Sequence, residues 1–254
     1  MKKTDSNRAS GMRRWVPTIA ALAVIMLTVS LGNWQLRRAD EKRDLQARAQ
    51  AAARQAPAQV SAAPLDAAAL DGLRAVVRGE WVPEYTVYID NRTHKGVAGF
   101  HVATPVKIQG SSTHLLVLRG WIARNPYERS ALPPIPNQAG TIAVEGVVLA
   151  RIDKVLELKK APTPGPGDRL WQNLDLQQFS RWSGLSLQPV LLRQVVAVDT
   201  TDSLVRDWPV PGKDVDKHLG YAFQWFGIAL ATAIFWISVS VIRSMKERRH
   251  ARSR

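Results

Sequence analysis

The stretch LGYAFQWFGIALATAIFWISVSVI, residues 219–242, runs for 24 residues without one Asp, Glu, Lys or Arg. An α-helix rises about 1.5 Å per residue, so this segment is long enough to cross a hydrocarbon layer roughly 30 Å thick. A core helix of a water-soluble domain would not need that length without a charge. Its flanks are asymmetric: residues 199–217 carry five acids and three bases, whereas Arg243, Lys246, Arg248, Arg249, Arg252 and Arg254 follow it. Bases collect on the cytoplasmic side of a span, so this one is oriented with its C-terminus in the cytoplasm.

Working back along the chain, WVPTIAALAVIMLTVSLGNWQL, residues 15–36, is a second uncharged run, bounded by Arg14 and Arg37. Pro17 lies near its start, where a missing amide costs a helix little. Trp15 and Trp34 sit near its two ends, the depths at which aromatic anchors are favoured. LGNWQLRRAD offers no small-x-small cleavage site, which favours an uncleaved anchor over a signal peptide. The charges around this first run are ambiguous alone, because Arg37, Arg38, Lys42 and Arg43 follow it closely. With the second span oriented, two spans place both termini in the cytoplasm. The expected organisation is a tail at 1–14, a transmembrane helix at 15–36, an extracytoplasmic domain at 37–217, a transmembrane helix at 218–242 and a basic tail at 243–254. The 14 residues ahead of the first span are too few for a separate organellar presequence, so the expected location is a bacterial inner membrane with a periplasmic domain.

Charge distribution separates this reading from a nucleic-acid binder. Of the net charge of +14, residues 1–14 hold +4 and residues 243–254 hold +5. Nucleic-acid binders spread their bases over a folded face; here the excess flanks apolar helices and faces a lipid bilayer. Cysteine is absent, which excludes disulfides, thiolate metal sites and cysteine nucleophiles.

Between the spans, residues 36–56 (LRRADEKRDLQARAQAAARQA) are good helix formers and are expected to continue the first helix beyond the membrane. Short segments rich in β-branched residues follow, at 73–81, 86–90, 99–108, 114–122, 141–149 and 188–198, with turn signals at Gly110-Ser111 and Pro133-Pro134. An amphipathic helix fits 174–183, with Leu174, Phe179 and Trp182 available for burial. The APTPGPGD stretch at 161–168 suits neither helix nor strand interior. The expected fold is therefore an α+β membrane protein, two transmembrane helices flanking an antiparallel, barrel-like β domain with one or two helices.

No G-x-S-x-G, Walker A, G-x-G-x-x-G or H-E-x-x-H motif occurs. His94, His101 and His114 fall in three strand regions without ligand spacing, and Glu80, Glu84 and Glu145 are not spaced to face one another across a cleft. An enzyme is not supported. The exception is DVDKHLGYAFQWF, where His218, Tyr221 and Trp225 follow helical spacing and share one face. A neutral imidazole beside flat aromatic rings suits an axial haem ligand and its walls. The same set also suits a plain interfacial anchor.

Four blocks, in order, resemble the signature of the Surfeit locus protein 1 family of cytochrome c oxidase assembly factors. LGNWQLRRADEKRDL (31–45) matches at Gly32, Trp34, Gln35, Arg38 and Lys42. DNRTHKGVAGFHVATPV (90–106) matches at Asn91, Arg92, Gly96, Gly99, Thr104 and Pro105. VLRGWI (117–122) matches at Arg119, Gly120 and Trp121, and KHLGYAFQWFGIA (217–229) at His218, Gly220, Tyr221, Ala222, Gln224 and Trp225. Ala39-Asp40-Glu41 and Ala123 depart from the pattern, which often has an aromatic residue at the first place and Pro at the second. The resemblance implies a non-enzymatic chaperone assisting haem a insertion into, or maturation of, subunit I of an A-type haem-copper oxidase, with haem a synthase as a further partner. It implies transiently held haem a as the cofactor, His218 as axial iron ligand and Tyr221 and Trp225 beside it. Arg119, Trp121, Trp34 and Gln35 are the expected partner-binding residues. The alternative is a membrane scaffold that stabilises an oxidase intermediate without touching haem.

Overall fold

A computed structural model describes residues 5–128, 131–152, 164–165, 167–198, 202–209 and 212–252. Part of the 161–168 stretch and the extreme ends of both tails lie outside the described residues. The chain divides into two compact units, one formed by the long terminal helices and the other by Ala49–Trp208.

In the second unit, β2 (Arg74–Trp81) and β6 (Ile142–Leu149) bury every second residue, the period that turns one face of a strand to a core. The other strands are β1 (Ala58–Val60), β3 (Val87–His94), β4 (Val97–Ile108), β5 (His114–Ala123), β7 (Leu170–Trp171) and β8 (Leu187–Gln194). They form one sheet in the order β1-β2-β6-β8-β5-β4-β3-β7, and β2 also pairs with β4. That extra pairing, with Gly79 opposite Ile108 and Trp81 opposite Val106, closes β2, β6, β8, β5 and β4 into a barrel. Val77, Val106, Leu115, Val117, Val144 and Leu192 fill its interior.

The expected antiparallel pairing holds at β2–β4, β4–β5, β2–β6 and β6–β8. The seam between β5 and β8 is parallel, as are the flanking pairs β1–β2 and β3–β7. A parallel neighbour requires a crossover rather than a hairpin, and the chain covers a long path between Ala123 and Leu187 before β8 enters. Part of that path, the proline-rich segment after Ala131, lies against the sheet: Tyr88 donates its hydroxyl to the Pro133 carbonyl at 2.5 Å.

Strand β5 is buried on both faces, which explains the run LLVL. Leu116 and Leu118 turn away from the barrel interior and pack with Trp171, Phe179 and Leu191. Phe179 belongs to α3 (Leu176–Ser183), a helix capped by the Asp175 carboxylate, which accepts from Gln178 N, and ended by Gly184 in the left-handed region. A shorter helix, α2 (Ala67–Leu70), is capped in the same way by Asp66.

The β3–β4 hairpin turns through Lys95 and Gly96, both at positive φ, the two-residue geometry that matches strand twist. At Gly99 the strands come so close that a Cβ would lie 2.6 Å from the Trp121 ring.

The first unit contains α4 (Val215–Arg252) and, as far as Arg48, α1 (Asp5–Arg54). Helix α1 continues without a break through residues 36–54, as expected. It begins at Asp5, however, so Pro17 lies inside the helix rather than at its start. Such a proline is tolerated in an apolar span because neighbouring groups readjust around the lost backbone bond. Both helices are long and apolar enough to cross a membrane. Their large apolar residues, Met26, Leu27, Leu230 and Phe235 among them, are exposed, unlike those of a soluble core helix.

Candidate functional site

The buried small residues of the two long helices lie on one stripe of each. Thr28, Gly32 and Ala39 follow helical spacing on α1, and Ala222 and Ala229 do so on α4. Small side chains let two helices approach closely in an apolar medium, where packing rather than water exclusion drives association. The approach is visible at Gly32, where a Cβ would sit 2.7 Å from the Phe226 ring. Two polar contacts lie away from the centre of this stripe: Lys42 Nζ on α1 donates at 3.0 Å to the carbonyl of Lys213, two residues ahead of α4, and Trp236 Nε1 on α4 donates to Thr18 Oγ1 on α1 at 3.3 Å.

His218 and Gln35 meet on the same stripes. His218 Nδ1 lies 2.7 Å from Gln35 Oε1. An amide oxygen only accepts, so in the neutral ring this contact has Nδ1 as donor and the lone pair on Nε2. His218 is partly exposed, Trp225 is partly buried, and Tyr221 is 51% exposed at the margin. The structure thus retains the shared face inferred from spacing, with Ala222 as its buried member. Gln224 is exposed on another face. One turn before His218, Asp214 and Lys217 form an exposed ion pair at 2.8 Å, and the hydrogen bond from Lys217 holds the Asp214 carboxyl below its ordinary range.

The four residues expected to bind a partner are placed as follows. Gln35 is engaged within the helix pair rather than free for another protein, whereas Trp34 beside it is half exposed. Arg119 and Trp121 are buried. Arg119, 1% exposed, lies 4.4 Å over the Trp81 ring, donates to Asn137 Oδ1 at 2.5 Å and to the Pro136 carbonyl at 3.0 Å, and stands 3.5 Å from the Asp202 carboxylate. Asp202 in turn accepts from Arg206 at 2.5 Å. Trp121 donates its indole N–H to the Arg92 carbonyl at 2.8 Å and packs 5.1 Å from the His94 ring. These residues hold the domain together from inside, because a charge and an indole N–H cannot be buried without such partners.

The domain's three histidines do not meet at one point: His94 is near His101, and His114 stands apart. His101 lies against Trp208 at 5.1 Å, and its pKa is lowered to about 4, first by burial and then by Arg92 and His94. His114 pairs with Lys107, six residues farther along β4 than His101, and its Nδ1 lies 3.3 Å from the Ser186 carbonyl. Among the described residues, no group of three or more His, Asp or Glu side chains is placed to hold a metal ion. Glu145 is paired with Arg74, while Glu80 and Glu84 are exposed.

Sequence reasoning singled out His218 but did not pair it with Gln35. The available signal was Gln35 itself, a polar residue at the end of an apolar run, but its role needed a contact across 183 residues. Asp202 gave no comparable signal.

The model of the SURF1 family matches residues 22–230. A SURF1-like protein of Monosiga brevicollis is 26% identical over 234 residues, covering 86% of this chain and 85% of its own length. A SURF1-like protein of Rickettsia felis is 24% identical over 226 residues, covering 86% of this chain and 94% of its own. The Surfeit locus protein 1 of Xenopus tropicalis is 24% identical over 239 residues, covering 85% and 73%. The family match begins inside the first apolar run, takes in the whole closed barrel and ends inside the second run, so the chain belongs to the SURF1 family, known as cytochrome oxidase assembly factors.

Proposed function

We infer that this protein is a haem a chaperone that assists haem insertion into subunit I of an A-type haem-copper cytochrome c oxidase. The observation that carries the reading is the contact of His218: one ring nitrogen meets Gln35, and among the described residues no hydrogen bond engages the other, which in the neutral ring can coordinate iron. A histidine ligand commonly donates its second ring nitrogen to an oxygen acceptor, which fixes ring and tautomer. The residues present therefore fit a haem cargo, with His218 as its axial ligand and Trp225 and Tyr221 as flanking rings. The second axial position is left to water or to a group of the receiving protein.

The site also suits transfer. Haem a carries a long hydrophobic tail and is insoluble in water, so a ligand at the mouth of an apolar helix pair lets the tail remain among lipids. A partly exposed ligand with one coordinating group binds weakly enough to release its cargo. In this reading α1 and α4 cross a bacterial inner membrane with both tails in the cytoplasm, the β domain is periplasmic, and the protein works beside subunit I and haem a synthase. The basic tail beyond Ile242 supports that orientation.

The test is co-expression of the full chain with haem a biosynthetic enzymes, purification in detergent and visible spectroscopy beside His218→Ala. Near-stoichiometric haem a in the wild type, lost or shifted in the variant, is the expected result. No haem in either protein would sink the chaperone reading and leave a scaffold for an oxidase intermediate, supported by the exposed apolar surface of both helices.

A further inference from the structure

Gln35 carries the only side-chain amide on the buried stripe formed by Thr28, Gly32, Gln35 and Ala39. A primary amide beside apolar helix surface is costly unless bonded. Its oxygen is satisfied by the imidazole of His218 at 2.7 Å. The stripe also fixes where that oxygen stands. Gly32, nearly one turn before Gln35, lies against the Phe226 ring, and Ala39, one turn after it, is buried. The amide is thus flanked by packing on either side, and a neutral ring that donates to its oxygen carries the proton on Nδ1 and the lone pair on Nε2.

We propose that Gln35 is the positioning residue of the haem site: it fixes His218 in the coordinating tautomer and, being a neutral amide, keeps that ligand a moderate donor from which haem can be passed on. This rests on the haem-handling reading above. A carboxylate at the same place would draw the Nδ1 proton more strongly and raise the basicity of Nε2, giving a tighter site better suited to a resident haem than to cargo. An apolar side chain would leave the ring free to rotate and to adopt either tautomer, so part of the protein would present a protonated Nε2. Gln35 lies between these extremes.

The experiment uses the full chain in non-ionic detergent, titrated with ferrous haem a, for wild type, His218→Ala, Gln35→Glu and Gln35→Leu. Three properties are read: affinity from the Soret band, the iron–histidine stretching band by resonance Raman, and the midpoint potential. Gln35→Glu is expected to raise the stretching frequency, lower the potential and slow transfer to apomyoglobin. Gln35→Leu is expected to lower the frequency and weaken binding about 10-fold or more, the usual scale for loss of a ligand's outer partner. A purely structural role would weaken both variants and move neither the band nor the potential in opposite directions. Gln35→Glu is nearly isosteric and keeps an acceptor in place, so it remains informative if Gln35→Leu loosens the helix pair.

Binding through His218 with band and potential unchanged in both Gln35 variants would overturn the role of Gln35 alone. Failure of the wild type to bind haem, or equal binding by His218→Ala, would overturn the chaperone reading and this proposal together.

Discussion

Replacing Asp202 with alanine would leave two arginines without their carboxylate. The Asp202 side chain is 1% exposed, accepts from both terminal nitrogens of Arg206 at 2.5 and 3.0 Å, and lies 3.5 Å from Arg119 Nη2. Arg119 keeps Asn137 and the Pro136 carbonyl, but these are neutral. Neutral oxygens accept hydrogen bonds from the guanidinium without offsetting its charge. Breaking a buried ion pair from one side costs about 3–5 kcal/mol, against a total domain stability of about 5–15 kcal/mol. Asp202→Asn retains acceptor geometry on one oxygen and should lose less, about 1–3 kcal/mol. The assay is urea unfolding of the full chain in non-ionic detergent, followed by tryptophan fluorescence, since Trp81 lies directly under the Arg119 guanidinium. Urea is preferred to a guanidinium salt because added ions would screen the interaction. A double-mutant cycle with Arg119→Met should show coupling of about 0.5–3 kcal/mol. A loss below about 1 kcal/mol for Asp202→Ala, with additive behaviour in the cycle, would refute the claim that this carboxylate neutralises the buried end of β5.

Two further outcomes are expected. His101 is held neutral in the fold, with its pKa lowered to about 4, while an unfolded histidine titrates near 6.5. The unfolded chain therefore binds more protons between those values, so stability is fully present above about pH 6.5 and falls as pH drops toward 4; each tenfold change in proton affinity is worth about 1.4 kcal/mol, giving a total loss of up to about 3 kcal/mol. His101→Gln should flatten that dependence, and unchanged urea midpoints in the wild type at pH 7.5 and 5 would contradict it. Gly32→Leu should force α1 away from the Phe226 ring; cysteines placed at Thr18 and Trp236 in this cysteine-free chain should then cross-link less efficiently than with Gly32 intact, and equal cross-linking would show that the seam has room to spare.

Much of the β domain was legible because its strands obey local rules. The segments 73–81, 114–122 and 141–149 fall on β2, β5 and β6 almost residue for residue, since alternation or a continuous apolar run with bounding turns marks them. Strand β3 was read only to residue 90, because Asn91-Arg92-Thr93-His94 has no apolar alternation; its pairing with β4 resumes only after a bulge and a positive φ at Asn91. Strands β1 and β7 are too short to leave a pattern and exist only as additions to β2 and β3. The parallel seam was illegible for a different reason: which strand lies beside β5 is decided by packing across the whole domain. Arg119 reads as a surface charge in any local window, and the partners that make its burial tolerable, Asp202 and Trp81 among them, are remote in sequence. In the helix pair, the spacing of His218, Ala222 and Trp225 was readable on one chain segment, whereas its use of Gln35 depended on which stripe of α1 lay opposite.

The parallel seam and the Arg119–Asp202 pair also set an order of synthesis. A ribosome delivers β2, β4, β5 and β6 before β8, yet β8 is the stave between β5 and β6, so the barrel stays open until residue 194 has emerged. Even then the Asp202 carboxylate that stands beside Arg119 is still to come, only a short distance before α4. Contacts this distant in sequence form late, and an open sheet exposes apolar faces and unpaired edges while it waits. A chain cut short before β8 would therefore yield an open barrel, a substrate for proteolysis rather than a smaller working domain, and one cut between residues 195 and 201 would lack the carboxylate that stands beside Arg119.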